Sequence, residues 1–212
     1  WSRVIVELQK KGYRDVHAVE IPLTSLADDA ERTRKMVAQI KGPVLLVGHS
    51  YGGAVISQAG NEPNVQGLVF IAAFAPDAGE SPGAITQAHL PKAAANLVPD
   101  SDGYLWVKPE LFHESFCQDL SQSEGDVLGI TQKAPLASTF GDEVSNPAWK
   151  NKPSWYQVST QDHMIHPDNQ VRMAARIKPR ETLTLDASHA SLASRPGEVA
   201  AFIDKAATAL QQ

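Results

Sequence analysis

The sequence predicts an α/β protein with a doubly wound, mostly parallel sheet and one large insertion. Apolar segments of strand length alternate with segments of helical period along most of the chain. Two of the strand segments, around 44–50 and 65–74, are apolar almost throughout, which is typical of parallel strands buried on both faces. The length of 212 residues fits one domain with an insertion as well as it fits two domains.

Composition restricts the classes of partner. Apolar residues make up 42% and charged residues 20%, so a sizeable core is expected. The 24 acidic and 19 basic residues give a net charge of −5, which offers no electrostatic footprint for nucleic acid or an anionic membrane. The longest apolar run, Leu68 to Ala75, is too short to cross a bilayer. The single cysteine, Cys117, allows no internal disulfide and makes a cysteine-based metal site implausible.

The chain opens on a segment that predicts an amphipathic helix already under way. Its apolar residues include Val4, Ile5 and Leu8, and the helix is expected to end at Gly12. No signal-like stretch is present, so this end does not indicate a compartment. We expect the natural polypeptide to carry further residues before Trp1.

The next elements follow in the order expected of an α/β sheet. The alternating run Val16–Pro22 predicts a strand, and Ser25–Ile40 predicts a helix with Ser25 as its N-cap. The predicted elements that follow are a strand over 43–50, a helix over 51–60 and a strand over 65–74.

The segment 76–153 breaks this alternation. It is rich in Pro, Gly and Ser, and its helical patterns are short, so we predict an insertion over one edge of the sheet, with 1–75 and 154–212 forming the core. Its aromatic residues are unusually dense: Tyr104, Trp106, Phe112, Phe116, Phe140 and Trp149. The alternation then resumes with a strand over 154–160, a helix over 167–177, a strand over 181–187 and a helix over 196–210.

The segment Gly48-His49-Ser50-Tyr51-Gly52 matches the G-x-S-x-G pattern of a nucleophile elbow. It directly follows a buried strand and directly opens a helix, which is the context that this pattern requires. The turn is expected to strain the backbone of Ser50, with Gly48 and Gly52 letting neighbouring chain pass closely. A serine hydroxyl in such a turn lies at a helix N-terminus, where backbone N–H groups favour an anion.

A nucleophilic serine needs a base, and position selects among seven histidines. His189 lies between the last strand and the last helix, in a loop at the carboxyl edge of the sheet, where ligand sites of open α/β sheets gather. His163 and His166 are weaker candidates, and His49 is expected to point back into the packed turn. The others have structural or solvated positions: His17, His89 and His113.

The acid that orients the base is predicted to be Asp162, just past the strand over 154–160. The chain order Ser50, Asp162, His189 is that of the α/β-hydrolase triad. Asp77 is the alternative acid, although its setting also fits a simple turn. We expect Asp168 to cap a helix and Asp186 to end a strand.

Motifs along nearly the whole chain resemble the small α/β-hydrolases that include plant methylesterases, hydroxynitrile lyases and bacterial esterases of unassigned substrate. They are W-S-x-V-I-x-x-L-x-x-x-G-Y, P-L-T-S-L-A-D-D, V-L-L-V-G-H-S-Y-G-G, A-A-F-A-P-D-A-G-E-S, P-S-W-Y and S-H-A-S-L-A-S-R-P. The resemblance implies that 76–153 is a lid whose aromatic residues wall an apolar pocket, although they could equally only fix the insertion to the sheet. It also implies an oxyanion donor at the Tyr51 N–H. By the same resemblance, a buried strand ending in His-Gly precedes the first helix, and the loop that follows this strand supplies a second donor, so we expect an apolar strand and a His-Gly turn before Trp1.

These observations predict a serine hydrolase that cleaves small to medium apolar carboxylic esters through an acyl-enzyme, with no cofactor and no metal ion. A ligand-binding homologue without catalysis is one alternative. A hydroxynitrile-lyase-like enzyme is another, although Ala190 stands where those lyases resemble one another in a lysine. The expected partner is a small-molecule ester, with no nucleic acid and no membrane, and a homodimer remains open. The sequence gives no compartment, with the cytoplasm only slightly favoured.

Overall fold

The computed structural model describes residues 1–211, which form a parallel sheet between two layers of helices. The strands are β1 (Val44–Ser50), β2 (Val65–Ala73), β3 (Leu97–Pro99), β4 (Leu105–Val107), β5 (Ser154–Ser159) and β6 (Glu181–Leu185). The helices are α1 (Ser2–Lys10), α2 (Leu26–Gln39), α3 (Gly52–Ala59), α4 (Pro82–Ala88), α5 (Phe112–Phe116), α6 (Gln122–Ile130), α7 (Pro167–Ile177), α8 (Ser191–Ser194) and α9 (Pro196–Ala209). None of these helices is long and apolar enough to span a membrane.

The main sheet has the strand order β1-β2-β5-β6, and every neighbouring pair is parallel. The central strand β2 is apolar on both faces because each face is covered by helices. Leu68 and Phe70 pack with α3 and α7 on one face, whereas Val69 and Ile71 pack with α1 and α9 on the other. This two-sided burial confirms the doubly wound fold expected from the apolar strands.

Helix α2 confirms the prediction made for its N-terminus. Its N-cap Ser25 accepts a hydrogen bond from the Asp28 N–H at 3.0 Å. Capping of this kind satisfies one of the backbone donors that a helix leaves unpaired. The strands and helices predicted after residue 43 also lie within a few residues of their observed bounds, outside the segment 76–153.

The strand predicted over Val16–Pro22 is wrong. These residues form neither strand nor helix, and most are half-buried or exposed. Among the described residues β1 pairs with β2 alone, so the segment has no strand beside it. Alternating apolar residues give a strand only where a backbone partner satisfies the N–H and C=O groups. The strand expected before Trp1 concerns residues outside this sequence and stays a prediction.

The segment 76–153 carries short helices and the small antiparallel pair β3–β4. It contacts the loops that follow the main strands. The Ala93 N–H donates to the His163 carbonyl at 2.9 Å, and the Ala190 N–H donates to the Phe116 carbonyl at 3.2 Å. The segment therefore touches the carboxyl edge of the sheet, where the parallel strands deliver their loops.

Candidate active site

Ser50 is the last residue of β1, and its backbone is strained. Its φ is +55°, in the left-handed region that residues other than glycine rarely adopt. Tyr51 follows as the N-cap of α3. The chain thus turns from strand to helix within two residues, the elbow geometry predicted from the motif.

The close packing of this elbow involves Gly48 and Gly53. A Cβ on Gly48 would lie 2.5 Å from the Gly52 carbonyl oxygen, and one on Gly53 would collide with the Phe74 carbonyl oxygen. A Cβ on Gly52 would meet no atom within 4 Å. The steric role expected of Gly52 therefore belongs to Gly53, which the five-residue motif does not contain.

The Tyr51 side chain anchors the start of α3. It is buried, and its hydroxyl donates to Asp29 Oδ2 at 2.8 Å. Asp29 Oδ1 accepts the Leu23 N–H at 2.8 Å. Burial raises the pKa of Asp29, and burial with the Asp29 hydrogen bond raises the pKa of Tyr51. The phenol is therefore the donor that holds this buried carboxyl group.

Asp162 and His189 form a buried pair beyond the ends of β5 and β6. His189 Nδ1 lies 2.7 Å from Asp162 Oδ2, and neither side chain is exposed to solvent. Asp162 Oδ1 accepts the backbone N–H groups of Met164 at 2.7 Å and Ile165 at 2.9 Å. Because the Asp162 carboxylate only accepts, it fixes the proton of His189 on Nδ1 and leaves Nε2 as the basic atom.

His189 Nε2 is buried and makes no hydrogen bond within residues 1–211. Ser50 is therefore not hydrogen-bonded to it in this structure. Such bonds are often long in unliganded enzymes and tighten when substrate binds. A buried acceptor without a partner costs about 1–3 kcal/mol, so this nitrogen favours a hydrogen bond from a hydroxyl group that comes within reach.

His49 packs against His189, with ring centroids 4.6 Å apart. Its Nε2 lies 2.8 Å from the His189 carbonyl oxygen, so this nitrogen carries the proton and donates. Burial lowers the pKa of His49 well below its usual value, and the neighbouring His189 lowers it further. His49 is thus a neutral donor to the backbone of His189.

The other candidate bases have different partners. His163 Nδ1 lies 2.8 Å from the Glu114 carbonyl oxygen, and His166 Nδ1 accepts the Asp168 N–H at the start of α7. The remaining three contact groups outside the Asp162–His189 pair: His17 contacts Asp15, His89 stacks on His166, and His113 contacts the Leu120 carbonyl.

The alternative acids also lie apart from the buried pair. Asp77 forms an ion pair with Lys150, and this contact lowers the pKa of Asp77. The expectation that Asp168 caps α7 is wrong, because the N-cap is His166, whose Nδ1 accepts the Asp168 N–H, and Asp168 lies in the first turn. Asp186 follows β6, as expected. None of these three carboxylates is hydrogen-bonded to His189 among the described residues.

A cavity of about 1070 Å³ includes Ser50 in its wall and extends along the unpaired edge of β1. Three of the six aromatic residues singled out in 76–153 line it: Phe112, Phe116 and Phe140. The others do not. The Trp106 indole N–H donates to Asp100, and the Trp149 indole N–H donates to the Pro76 carbonyl, both at 2.9 Å. Phe112, Phe116 and Phe140 therefore line the cavity, whereas the indole hydrogen bonds of Trp106 and Trp149 stay within the segment 76–153.

One group of three metal-ligating side chains stands apart from this site. The potential donor atoms of His89, His166 and Asp168 lie within 4.8 Å of one another. His166 Nδ1 is occupied by the Asp168 N–H, and the positive end of the α7 dipole disfavours a cation there. We assign no metal ion to this group.

Sequence reasoning missed Gln170, the second donor to Asp162 Oδ2. The Gln170 Nε2 atom lies 2.7 Å from that oxygen, and the residue is fully buried on α7. A signal was present, because Gln170 shares a helical stripe with Met173, Ala174 and Ile177, which are buried against the sheet. A polar residue in an apolar stripe needs a buried partner.

Known proteins of this architecture are similar to the chain along nearly its whole length. A model of the alpha/beta hydrolase family matches residues 1–202. Methylesterase 8 of Arabidopsis thaliana is 26% identical over 92% of this chain and 80% of its own, and probable hydrolase R7 of Phoma sp. is 24% identical over 83% and 76%. A pyrethroid hydrolase from Sphingobium faniae JZ-2 superposes with a TM-score of 0.81 at 22% identity, covering 98% of this chain and 91% of that one. The chain belongs to the alpha/beta hydrolase family.

Proposed function

We propose that the chain is a serine hydrolase that cleaves carboxylic esters through an acyl-enzyme. The observation that carries the proposal is the buried Asp162–His189 pair at the same sheet edge as the strained Ser50. The family and the relatives named as hydrolase and methylesterase support hydrolysis as the reaction class.

In the acylation step Ser50 Oγ attacks the ester carbonyl carbon while His189 Nε2 takes the hydroxyl proton. Asp162 keeps the other ring proton on Nδ1 and stabilises the imidazolium that forms. The imidazolium then gives its proton to the leaving alcohol. In deacylation, water attacks the acyl carbonyl carbon while His189 Nε2 takes its proton. The imidazolium then returns that proton to Ser50 Oγ, which releases the carboxylic acid.

The oxyanion of each tetrahedral intermediate needs donors beside Ser50. We assign the Tyr51 N–H as one, because Tyr51 begins α3 and its backbone N–H belongs to the positive end of that helix. The Tyr51–Asp29 hydrogen bond fixes the residue that carries this donor.

The cavity around Ser50 favours an uncharged, apolar substrate. Beside the aromatic residues it is lined by Leu128 and Met164. Its charged lining residues have partners of their own: the Lys133 ammonium donates to the Ile21 carbonyl at 2.6 Å, and Asp15 Oδ1 lies 2.7 Å from His17 Nε2. We propose that 76–153 acts as the lid that forms this wall, which makes neutral esters with small to medium apolar acyl groups the expected substrates.

The test uses covalent labelling and turnover together. A fluorophosphonate probe is expected to label Ser50, as located by peptide mass spectrometry, and p-nitrophenyl esters of increasing acyl length are expected to be hydrolysed. Ser50→Ala should abolish both signals, with Ser57→Ala, a buried serine on α3 bonded to the Gly53 carbonyl, as the matched control. Labelling or turnover that persists in Ser50→Ala contradicts the proposal.

The rate should rise with pH near neutrality as one histidine loses its proton. This limb should be visible in kcat/KM for a p-nitrophenyl ester that does not itself ionise. A rate independent of pH between about 5 and 9 contradicts a histidine base. No observation favours the ligand-binding alternative, and Ala190 follows His189 where the lyase alternative calls for a lysine.

A further inference from the structure

We propose that Gln170 is a positioning residue that fixes the Asp162 carboxylate for catalysis and disperses its charge. This inference rests on the proposed function, since it concerns the same acid–base pair. Gln170 itself does not line the cavity, and among residues 1–211 its side chain bonds to the acid–base pair only at Asp162.

Two oxygens of Asp162 receive four hydrogen bonds, and this number fills the acceptor positions of a carboxylate. Oδ1 receives two backbone N–H groups of its own loop. Oδ2 receives His189 Nδ1 and Gln170 Nε2, both at 2.7 Å. Rotation of the carboxylate would therefore weaken every one of these bonds at once.

The orientation of the Gln170 amide is itself determined. Its Oε1 accepts the Ser159 N–H at 3.0 Å, at the end of β5. Its Nε2 must then face Asp162, and it also donates to the Ile165 carbonyl at 3.1 Å. One side chain thus ties helix α7 to the strand end and to the loop that carries the acid.

The amide also affects how strongly Asp162 holds the imidazolium. A carboxylate whose charge is shared among several donors is less able to attract a proton. Removing the Gln170 donor concentrates charge on Oδ2, beside His189 Nδ1. The protonated base then becomes more stable, so the rising limb of the rate–pH profile is expected to move to higher pH.

Other titratable groups that face this centre do not obscure that limb. They are His49 from β1, Tyr156 from β5 and Asp119, whose Oδ2 accepts the Ser188 N–H at 2.9 Å. Burial lowers the pKa of His49, and burial with the Asp162 charge raises the pKa of Tyr156. His49 and Tyr156 are therefore neutral across the rising limb. Burial raises the pKa of Asp119, but hydrogen bonds from Ser188 lower it below its usual value overall, so Asp119 stays ionised there.

The first variant is Gln170→Met, which keeps the shape but removes the donor. Misplacement of a reacting group costs up to about 10²-fold in rate, so kcat should fall by about 10- to 100-fold with little change in KM. The rising limb should move to higher pH. An unmoved limb, with a loss of kcat no larger than the loss of folded protein seen by circular dichroism, overturns the proposal.

The second variant, Gln170→Glu, makes the donor depend on pH. The pKa of the introduced carboxyl should be raised by burial beside Asp162. The protonated form of this carboxyl group can donate to Asp162, whereas the ionised form repels the Asp162 carboxylate. The activity of Gln170→Glu should therefore fall again at high pH, while the activity of the unmodified protein stays on its plateau.

Gln157→Glu is the matched control, because Gln157 is equally buried but, within residues 1–211, its side chain bonds only to Ser159 Oγ and Ser191 Oγ. It should show no falling limb. A falling limb in both variants, or in neither, contradicts the role of Gln170.

A measurement on the unmodified protein needs no variant to fold. The side-chain amide resonances of Gln170 should shift with the same midpoint as the ring of His189 during a pH titration followed by NMR. Resonances that ignore this titration overturn the inference. Labelling or turnover that persists in Ser50→Ala would instead overturn the proposed function. The coupling of Gln170 to the Asp162–His189 pair would then be tested by the NMR titration alone.

Discussion

Replacing Asp162 with asparagine is expected to reduce turnover by about 10⁴-fold while the protein stays folded. The carbonyl oxygen of the introduced amide can take the place of Oδ1 and keep the two backbone N–H groups of Met164 and Ile165. The amide nitrogen then stands where Oδ2 accepted from His189. Because that nitrogen donates, His189 must present a bare Nδ1 and move its proton to Nε2. In that tautomer the ring has no basic nitrogen for the Ser50 hydroxyl proton.

The expected loss of rate corresponds to about 5.4 kcal/mol of transition-state stabilisation, at about 1.36 kcal/mol for each tenfold change. The cost in folding is smaller. Gln170 Nε2 loses Asp162 as an acceptor but keeps the Ile165 carbonyl. One lost hydrogen bond to a charged group costs about 1.5–3 kcal/mol. A domain with about 5–15 kcal/mol of stability remains folded after such a change.

The assay is kcat/KM for a p-nitrophenyl ester, with unfolding in urea measured on the same samples. Asp77→Asn is the matched control, because Asp77 was the alternative acid and pairs with Lys150 on the surface. That variant should retain turnover within about twofold, because Asp77 lies apart from the Asp162–His189 pair, and its surface ion pair contributes only about 0–1 kcal/mol to stability. A loss of about 10⁴-fold in Asp77→Asn together with normal activity in Asp162→Asn would refute the reasoning.

Two further predictions concern stability. Gly53→Ala should lower the free energy of unfolding by about 1–3 kcal/mol, because its Cβ collides with the Phe74 carbonyl, whereas Gly52→Ala should not destabilise; urea titrations of both variants check this. Burial lowers the pKa of His49 in the folded state, so below about pH 6.5 the unfolded chain binds a proton that the folded chain does not, and stability falls as pH decreases. Between about pH 6.5 and 5, His49→Gln should reduce the slope of the free energy of unfolding against pH by up to about 1.36 kcal/mol per pH unit. His17→Gln is the control, because His17 is exposed. An unchanged slope in His49→Gln contradicts the prediction.

Local patterns were sufficient for most of the sheet because its strands are buried on both faces. The runs that became β1 and β2 are apolar almost throughout, and no partner is needed to recognise such strands. Val16–Pro22 shows the limit of this reasoning. Its alternation fits a half-buried strand, but strand formation depends on a backbone partner that a local pattern does not reveal, and none is present among the described residues.

The same limit separates the site residues that the sequence predicts from those that it does not. Ser50, Asp162 and His189 were proposed from their positions after strands and from their order in the chain, and the structure joins the last two by a hydrogen bond. Their catalytic roles stay proposals. Gln170 and the donor role of His49 could not be predicted in this way, because each depends on how one loop lies against another.

The environment of His189 explains why these contacts should affect rate more than fold. Its ring is held by Asp162, its carbonyl accepts from His49, and the next N–H donates to the Phe116 carbonyl. These partners come from three separate parts of the chain. Each fixes a different coordinate of the imidazole, and a proton transfer is sensitive to every one of them. The catalytic geometry is therefore expected to fail before the fold does when any one partner is removed.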